Sequence, residues 1–367
     1  MLPAHLESPR AWCTSSLTDI ETARWRTQHF LGLQLFSPGA HCPVHLEERK
    51  VLLNRASIRG ICRGWRDKEW WYTGVLDPES QVYVSWYFLR VNVADAFVFS
   101  VFDPSRPGPE HLVKQIFYLE KPPESSREET YLVRDRRGFF VSYTGRGDGP
   151  EPGWSFLLKT KSIEAEIRIE PRRPSFTKFD NAVQDNYGLL NFFGASASGK
   201  VQAGGHTYEL NSAVAYYDHC FGRIPEQTGW HWIAVQGDKF SLDSLINYGA
   251  YAQCYTQGWH SIEGVPRPGQ WVRLEQAVSF ENSVSFDDKD YLSWKKPWRL
   301  TSTDLDLNIE ILQHKTDLTR VPPILPFLVK LHHTEAFVRV SGKARIDGVW
   351  TQTGDMFGVF EQHYGRW

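Results

Sequence analysis

An all-β protein is the prediction, and three observations carry it. Aromatic residues make up 14% of the 367 residues, with 15 Trp and 15 Tyr among them. Aromatic and β-branched side chains suit the pleated, half-buried surface of a sheet. From Trp70 onward the apolar residues alternate or run in short blocks, with almost none of the three- and four-residue recurrence of a helix. Gly-, Pro-, Asn- and Asp-containing breaks separate those blocks at hairpin spacing. Many short strands joined by such turns point to barrels or sandwiches.

The elements follow in order. Residues 1–65 are weakly patterned and form an N-terminal extension, with a short helix expected over 17–28. Residues 82–93 and 97–103 are aromatic and β-branched runs, and 114–120, 139–144 and 154–159 continue the series. Residues 163–170 (IEAEIRIE) alternate cleanly, which predicts one buried and one wet face. Residues 200–203 and 206–210 flank Gly204-Gly205, a turn pair in which both residues accept positive φ. The second half repeats the style over 229–236, 240–248, 271–280, 304–313, 336–341 and 356–361. Residues 321–326 (VPPILP) read as an apolar loop. The joint between two β units is expected in the 194–211 region, giving domains 66–205 and 206–367.

Bulk properties exclude several classes. A net charge of −2 gives no electrostatic footprint for nucleic acid. Five widely spaced cysteines without a C-x-x-C pair argue against a disulfide scaffold and for a reducing interior. Glu7, Arg10 and Asp19 interrupt the place where a signal peptide needs an apolar core. No run approaches the roughly 20 apolar residues of a membrane helix. The expectation is a cytoplasmic protein, a monomer or homodimer, able to touch a membrane surface to collect a lipid. The 13 histidines show no metal-ligand spacing, and neither metal nor cofactor is expected. The stretch 194–201 (GASASGKV) nearly spells a phosphate-binding loop. Val201 replaces the required hydroxyl, so a small-residue loop is the better reading.

Chemistry concentrates in three segments. Tyr216-Tyr217-Asp218-His219-Cys220-Phe221-Gly222 sets a carboxylate beside an imidazole before a glycine turn, and Gly229-Trp230-His231-Trp232 follows. Near the front stands Glu69-Trp70-Trp71-Tyr72-Thr73-Gly74, and near the end Thr334-Glu335-Ala336 leads to Val340-Ser341-Gly342. Asp218 or His219 is the candidate general acid. A carboxyl among rings is desolvated, which favours its neutral, proton-carrying form, while an imidazolium needs no such lift. Glu335 is a candidate second acid or base, with a rim salt bridge as the plainer alternative. Trp70, Trp71, Tyr72, Phe221, Trp230 and Trp232 are candidate walls of a substrate pocket, their π faces suited to a developing cation. For any single ring the plainer alternative is barrel core. Trp230 and Trp232 share one strand face and His231 points to the other. Tyr217 and Tyr248 are candidate hydroxyl donors to a polar group of the substrate.

The three segments, in this order, resemble the lipocalin-like superfamily of carotenoid 1,2-hydratases (hydroxyneurosporene synthases) and AttH-like proteins. Tocopherol cyclases, kievitone hydratases and fungal decalin-forming Diels–Alderases are more distant relatives. The front matches the family's E-W-W-Y strand, the centre its Y-x-D-H-x-W-G and G-W-x-W stretches, and the likeness covers roughly residues 65–367. It implies two calycin- or lipocalin-like β domains and a cofactor-free enzyme that protonates or templates a polyene or isoprenoid in a hydrophobic pocket. The chain departs at Phe221 and Cys220, where a Trp and a polar residue are usual. It departs again at Ile246-Asn247-Tyr248-Gly249, which lacks the expected carboxylate. That departure shifts the expectation from water addition toward a cyclase or isomerase. The competing expectation is a carrier that binds a lipid or pigment and performs no chemistry.

Overall fold

The computed structural model describes residues 67–91, 94–106, 111–118, 129–146, 153–171, 176–180, 187–223, 227–248, 254–260, 270–273, 279–281, 298–302, 304–321, 329–346 and 348–366. Every regular element among them is a strand, which settles the fold class as all-β. The chain divides into two compact units between Ile224 and Pro225.

The first unit is one antiparallel sheet. Its strands are β1 (Asp67–Asp77), β2 (Val82–Val91), β3 (Ala94–Phe102), β4 (His111–Tyr118), β5 (Glu129–Arg136) and β6 (Phe139–Arg146). They continue as β7 (Gly153–Thr160), β8 (Ile163–Glu170), β9 (Phe176–Asp180), β10 (Tyr187–Ala203) and β11 (His206–Arg223). The order is β4-β3-β2-β1-β11-β10-β8-β7-β6-β5, with β9 beside β10. Trp86 on β2 and Phe156 on β7 stand five places apart in that order, about 24 Å in a flat sheet at ~4.8 Å per strand. Their ring centroids are 4.1 Å apart. The sheet therefore curls over one core, in which Trp71, Trp86, Phe97, Tyr143, Trp154, Phe156 and Tyr217 pack together. β8 supplies Ile163, Ala165, Ile167 and Ile169 to this core and exposes the residues between them, as its alternation requires.

The second unit repeats the device. Its strands are β12 (Gln227–Gln236), β13 (Phe240–Tyr248), β14 (Cys254–His260), β15 (Gln270–Arg273) and β16 (Ser279–Glu281). They continue as β17 (Trp298–Thr301), β18 (Leu305–Val321), β19 (Val329–Ile346), β20 (Val349–Gln352) and β21 (Met356–Arg366). The order is β15-β14-β13-β12-β21-β19-β18-β17-β16, with β20 on β19. His231 on β12 meets Trp298 on β17 at 5.6 Å, so this sheet also curls. Its core holds Ile233, Val235, Leu242, Trp298, Leu307, Val338 and Phe360.

Several expectations need correction. The Gly204-Gly205 turn is a hairpin tip within the first unit, because β11 is held on one side by β1 and on the other by β10. The division expected at 205/206 therefore falls at Ile224/Pro225. For the same reason Tyr216–Gly222 lies in the C-terminal half of an 18-residue strand and is no turn. The small residues 194–200 belong to β10 and form no loop. Residues 271–280 are not one strand, since β15 and β16 lie at opposite edges of the second sheet. The extension 1–65, the helix at 17–28 and the body of the 321–326 loop lie outside the described residues.

The long strands are broken by β-bulges. Between Ala197/Ala213 and Gly199/Leu210 the β10–β11 register slips by one residue. Tyr208 and Leu210 before the slip, and Ala213, Ala215 and Tyr217 after it, can then all face the core despite opposite parity. In β18 the slip falls between Ile311/Val338 and Gln313/Phe337, leaving Leu312 as the extra residue. Before it, Leu305, Leu307 and Ile309 face the core; after it, Gln313 and Lys315 face the other way.

Gly199, at the first slip, has φ +138° and would place a Cβ 2.0 Å from the carbonyl oxygen of Glu166. Gly199→Ala is expected to cost roughly 2–4 kcal/mol from backbone strain and overpacking. Urea midpoints of the two proteins measure it, and an unchanged midpoint would refute the role given to this glycine.

Candidate functional site

β1 and β11 lie side by side with Trp71 opposite His219 and Tyr72 opposite Asp218. Successive side chains on a strand point to opposite faces, so Asp218 and His219 do not act as a pair. His219 faces the core. Its Nε2 lies 2.8 Å from Oε1 of Glu69, and its ring stacks on Trp71 at 4.8 Å and 13°. Arg90 on β2 donates to the other Glu69 oxygen at 3.3 Å and lies over the Trp71 ring at 5.3 Å. The carboxylate partner of His219 is thus Glu69, the first residue of the E-W-W-Y motif. Asp218 is buried on the opposite face, with Tyr72 and Tyr216. The Tyr72 hydroxyl hydrogen-bonds that of Tyr83 at 2.9 Å.

Two expected pocket rings belong to the core. Trp71 packs as above, and Tyr217 stacks on Trp154 at 4.4 Å. Trp70 is half-buried on the face opposite Trp71. Phe221 stands opposite Glu69 on β1, and Tyr248 opposite Gly229 on β12; the described residues do not extend to these two side chains.

A denser cluster of polar side chains lies in the second unit. The register sets Glu335 on β19 beside Lys315 on β18 and Glu361 on β21. It also sets Trp232 on β12 opposite Glu361, and Trp230 opposite His363. All are on the face away from the core, yet Glu335 is 0% and Glu361 6% exposed. Lys315 Nζ sits 2.7 Å from Glu335 Oε2, so Glu335, a candidate second acid or base with a rim salt bridge as the alternative, stands in an ion pair that is buried and not at a rim. Trp230 donates its indole N–H to Glu361 Oε2 at 3.3 Å and stacks on His363 at 3.8 Å and 10°. Trp232 donates to Asp243, itself fully buried, at 2.7 Å. His333 Nε2 stands 3.7 Å from Glu361 Oε1.

Electrostatics separate the two glutamates. Burial pushes the Glu361 carboxyl well above its usual range, and the neighbouring Glu335 charge pushes it further; the Trp230 hydrogen bond and Lys315 oppose this without reversing it. Its surroundings thus favour the neutral, proton-carrying form of Glu361, while Lys315 is the ion-pair partner of Glu335. His231 points to the core, T-shaped against Trp298, and burial alone lowers its pKa to about 3.

The structure brings Glu335, Trp230 and Trp232 together on the second sheet, while Asp218 and His219 belong to the first. Sequence reasoning missed Glu361, Lys315, Asp243 and His363. Glu361 and His363 sit two apart in the tail segment, the spacing of one strand face, but only the register reveals what they face. Residues 246–249 carry no carboxylate; the nearby carboxylates are Asp243 on the same strand and Glu361 on β21, two strands away across β12.

Comparison with known proteins follows the fold. The domain family described as a domain of unknown function (DUF2804) matches residues 190–367. A search of curated proteins finds no match. Among solved structures, an AttH-like protein from Nitrosomonas europaea superposes with a TM-score of 0.57 at 13% identity, covering 90% of this chain and 98% of its own. Kievitone hydratase from Nectria haematococca gives 0.52 at 10% identity, covering 82% and 88%. These likenesses establish the fold that the resemblance implied, two lipocalin-like β units.

Two predictions follow from the buried charges. Lys315→Met leaves Glu335 buried without its cation and is expected to cost about 3–5 kcal/mol, with most of the loss restored in the Lys315→Met/Glu335→Leu double variant. Chemical denaturation of the three proteins tests this, and a harmless single variant would contradict it. His231 is neutral when folded and binds a proton more readily when unfolded. Its contribution is complete above pH 6.5 and is lost as pH falls toward 3. Between pH 7 and 4.5 the parent should lose about 2–3 kcal/mol more than His231→Phe; parallel losses would dismiss the histidine as the cause.

Proposed function

We propose that this chain is an enzyme that adds water across a carbon–carbon double bond of a large hydrophobic substrate, without a cofactor, with Glu361 as the proton donor. The observation that carries the reading is the Glu361–Glu335–Lys315 set. Burial and a neighbouring charge push one carboxyl toward its neutral form, and the other lies 2.7 Å from a lysine Nζ as its ion-pair partner. Protonation of an unactivated alkene needs a desolvated acid, and capture of the resulting cation by water needs a base within reach. Glu361 supplies the proton, Glu335 draws the proton from the incoming water, and Trp232 presents indole surface beside Glu361 to the cation. Trp230 holds the acid by its N–H. The name of one structural neighbour, a hydratase, favours water addition over the cyclisation expected from residues 246–249. The density of buried ionisable groups tells against a simple carrier.

In this reading Glu69 and His219 anchor β1 to β11, and Asp218 has no part in the proton transfer. Glu361 acts in its protonated form, so kcat is expected to fall on the alkaline side as pH rises through its raised pKa.

The test incubates the full chain with kievitone and with squalene in ¹⁸O-water and follows products by mass. Gain of one labelled water is expected. Glu361→Gln should lower turnover by roughly 10²–10⁴-fold with the circular dichroism unchanged. A product of unchanged mass would replace hydration by cyclisation or isomerisation, and recovery of bound, unaltered lipid would make the chain a carrier. Loss of turnover in Asp218→Asn but not in Glu361→Gln would move the acid to the first sheet.

A further inference from the structure

The two sheets are built on one plan, and their registers match. Gly199 on β10 and Gly342 on β19 have φ +138° and +150°. A Cβ on either would strike a backbone oxygen of the next strand, that of Glu166 at 2.0 Å or of Asp306 at 2.2 Å. Counted along the strands from these glycines, with the extra β10 residue between Phe192 and Ala195 allowed for, Leu190 corresponds to Thr334. Leu190 stands opposite His219 and His219 opposite Trp71; Thr334 stands opposite Gln362 and Gln362 opposite His231. Gln362 is therefore the second unit's counterpart of His219.

The units differ at this level. In the first, Glu69, two residues before Trp71, reaches the His219 imidazole. Two residues before His231 stands Gly229, which has no side chain to offer. Gln362 is 4% exposed, and its amide nitrogen is buried without a hydrogen-bond partner. On the core side His231, Gln362, Thr334 and Thr316 form one row across β12, β21, β19 and β18. The two threonine hydroxyls meet at 2.9 Å. His231 and Thr334 are 1% exposed, whereas Thr316 is only half-buried, so the row leads from the interior toward solvent. Beneath it, the Trp298 and Phe360 rings lie 5.6 and 5.9 Å from the His231 ring. Burial keeps His231 uncharged, so the row offers polar groups but no ion.

We propose that the core side of the second unit binds an apolar molecule by an uncharged oxygen, a hydroxyl or a carbonyl, which accepts a hydrogen bond from the Gln362 amide. The oxygen takes the place that Glu69 fills in the first unit, and Thr316 marks the entrance. A buried donor without a partner costs free energy, and the ligand oxygen recovers it. A carboxylate is excluded, because it would leave water for a row with no cation to receive it. The site lies on the face of β21 opposite Glu361, so it takes no part in the hydration chemistry and does not depend on it.

The probes are 1-octanol, 2-octanone and octanoate, titrated calorimetrically into the full-length protein at about pH 8, above the ordinary range of histidine. Octanol and octanone are expected to bind, and octanoate to bind about tenfold more weakly or less. Gln362→Met keeps the length of the side chain without its amide and should weaken octanol about tenfold. Its urea midpoint should equal or exceed that of the parent, since the amide removed had no partner to lose. Glu361→Gln is expected to bind octanol as the parent does. Failure of both octanol and octanone to bind the parent would overturn the site, as would octanoate binding as tightly as octanol. Undiminished binding by Gln362→Met, or loss of binding in Glu361→Gln, would place the ligand elsewhere and refute the proposal. A clearly lowered urea midpoint in Gln362→Met would show the amide already bonded, to an internal water, and would refute it too.

Discussion

Everything in the two sheets depends on strands that are dry on both faces. A strand with one wet face can put its polar residues in water, but here Asp218, His219, His231, Glu335 and Glu361 are all buried. Each charge must then find its counterpart inside the sheet, because an unpaired buried ion costs several kcal/mol. The sheet offers few choices, since partners come only from directly opposite or diagonal positions on neighbouring strands. Hence Glu69 reaches His219 diagonally across β1 and β11, and Glu335 reaches Lys315 and Glu361 across β18 and β21. Burial and register together dictate which groups meet, and desolvation then sets which of them hold protons.

The two units spend this constraint differently. In the first, the polar pair sits on the core side, sandwiched by Trp71 and tied to Arg90, in an interior otherwise filled by stacked rings. A carboxylate and an imidazole locked to each other in a filled core join strands. In the second, the buried polar residues on the core side are His231, Ser244, Thr334 and Gln362, and the buried carboxylates and Lys315 gather on the reverse. There the ions outnumber what structure alone requires, and one carboxyl is driven to hold its proton. That imbalance, more than any single residue, separates the chemical cluster from the structural one.

The fold class was legible because the strand period and the aromatic content are local properties. Residues 163–170 show it best, with every second residue buried as the alternation demanded. The alternation also placed Trp230 and Trp232 together and sent His231 to the opposite side. The same rule, applied to Asp218 and His219, would have parted them; reading their stretch as a turn hid that. Glu69 stood in plain view in a quoted motif, yet its partner lies 150 residues away. Lys315 was illegible for a different reason. Counting by twos from Leu305 puts it among core positions, and only the bulge at Leu312 sends it the other way. Register and bulges arise from pairing between distant strands, so a single sequence carries no direct trace of them.

That extra residue in β18 makes the strand a sentence in two reading frames. Upstream of Leu312 odd-numbered positions speak to the apolar interior; downstream they speak to Glu335. Loops absorb insertions and deletions because nothing beyond them depends on phase. Here the loss or gain of one residue between Leu305 and Lys315 would be equivalent to rewriting every position after it. The segment should therefore tolerate substitution far better than change of length. An alignment that slides a gap through it for the sake of matching hydrophobics would exchange the lysine for its neighbours and erase the cluster from view.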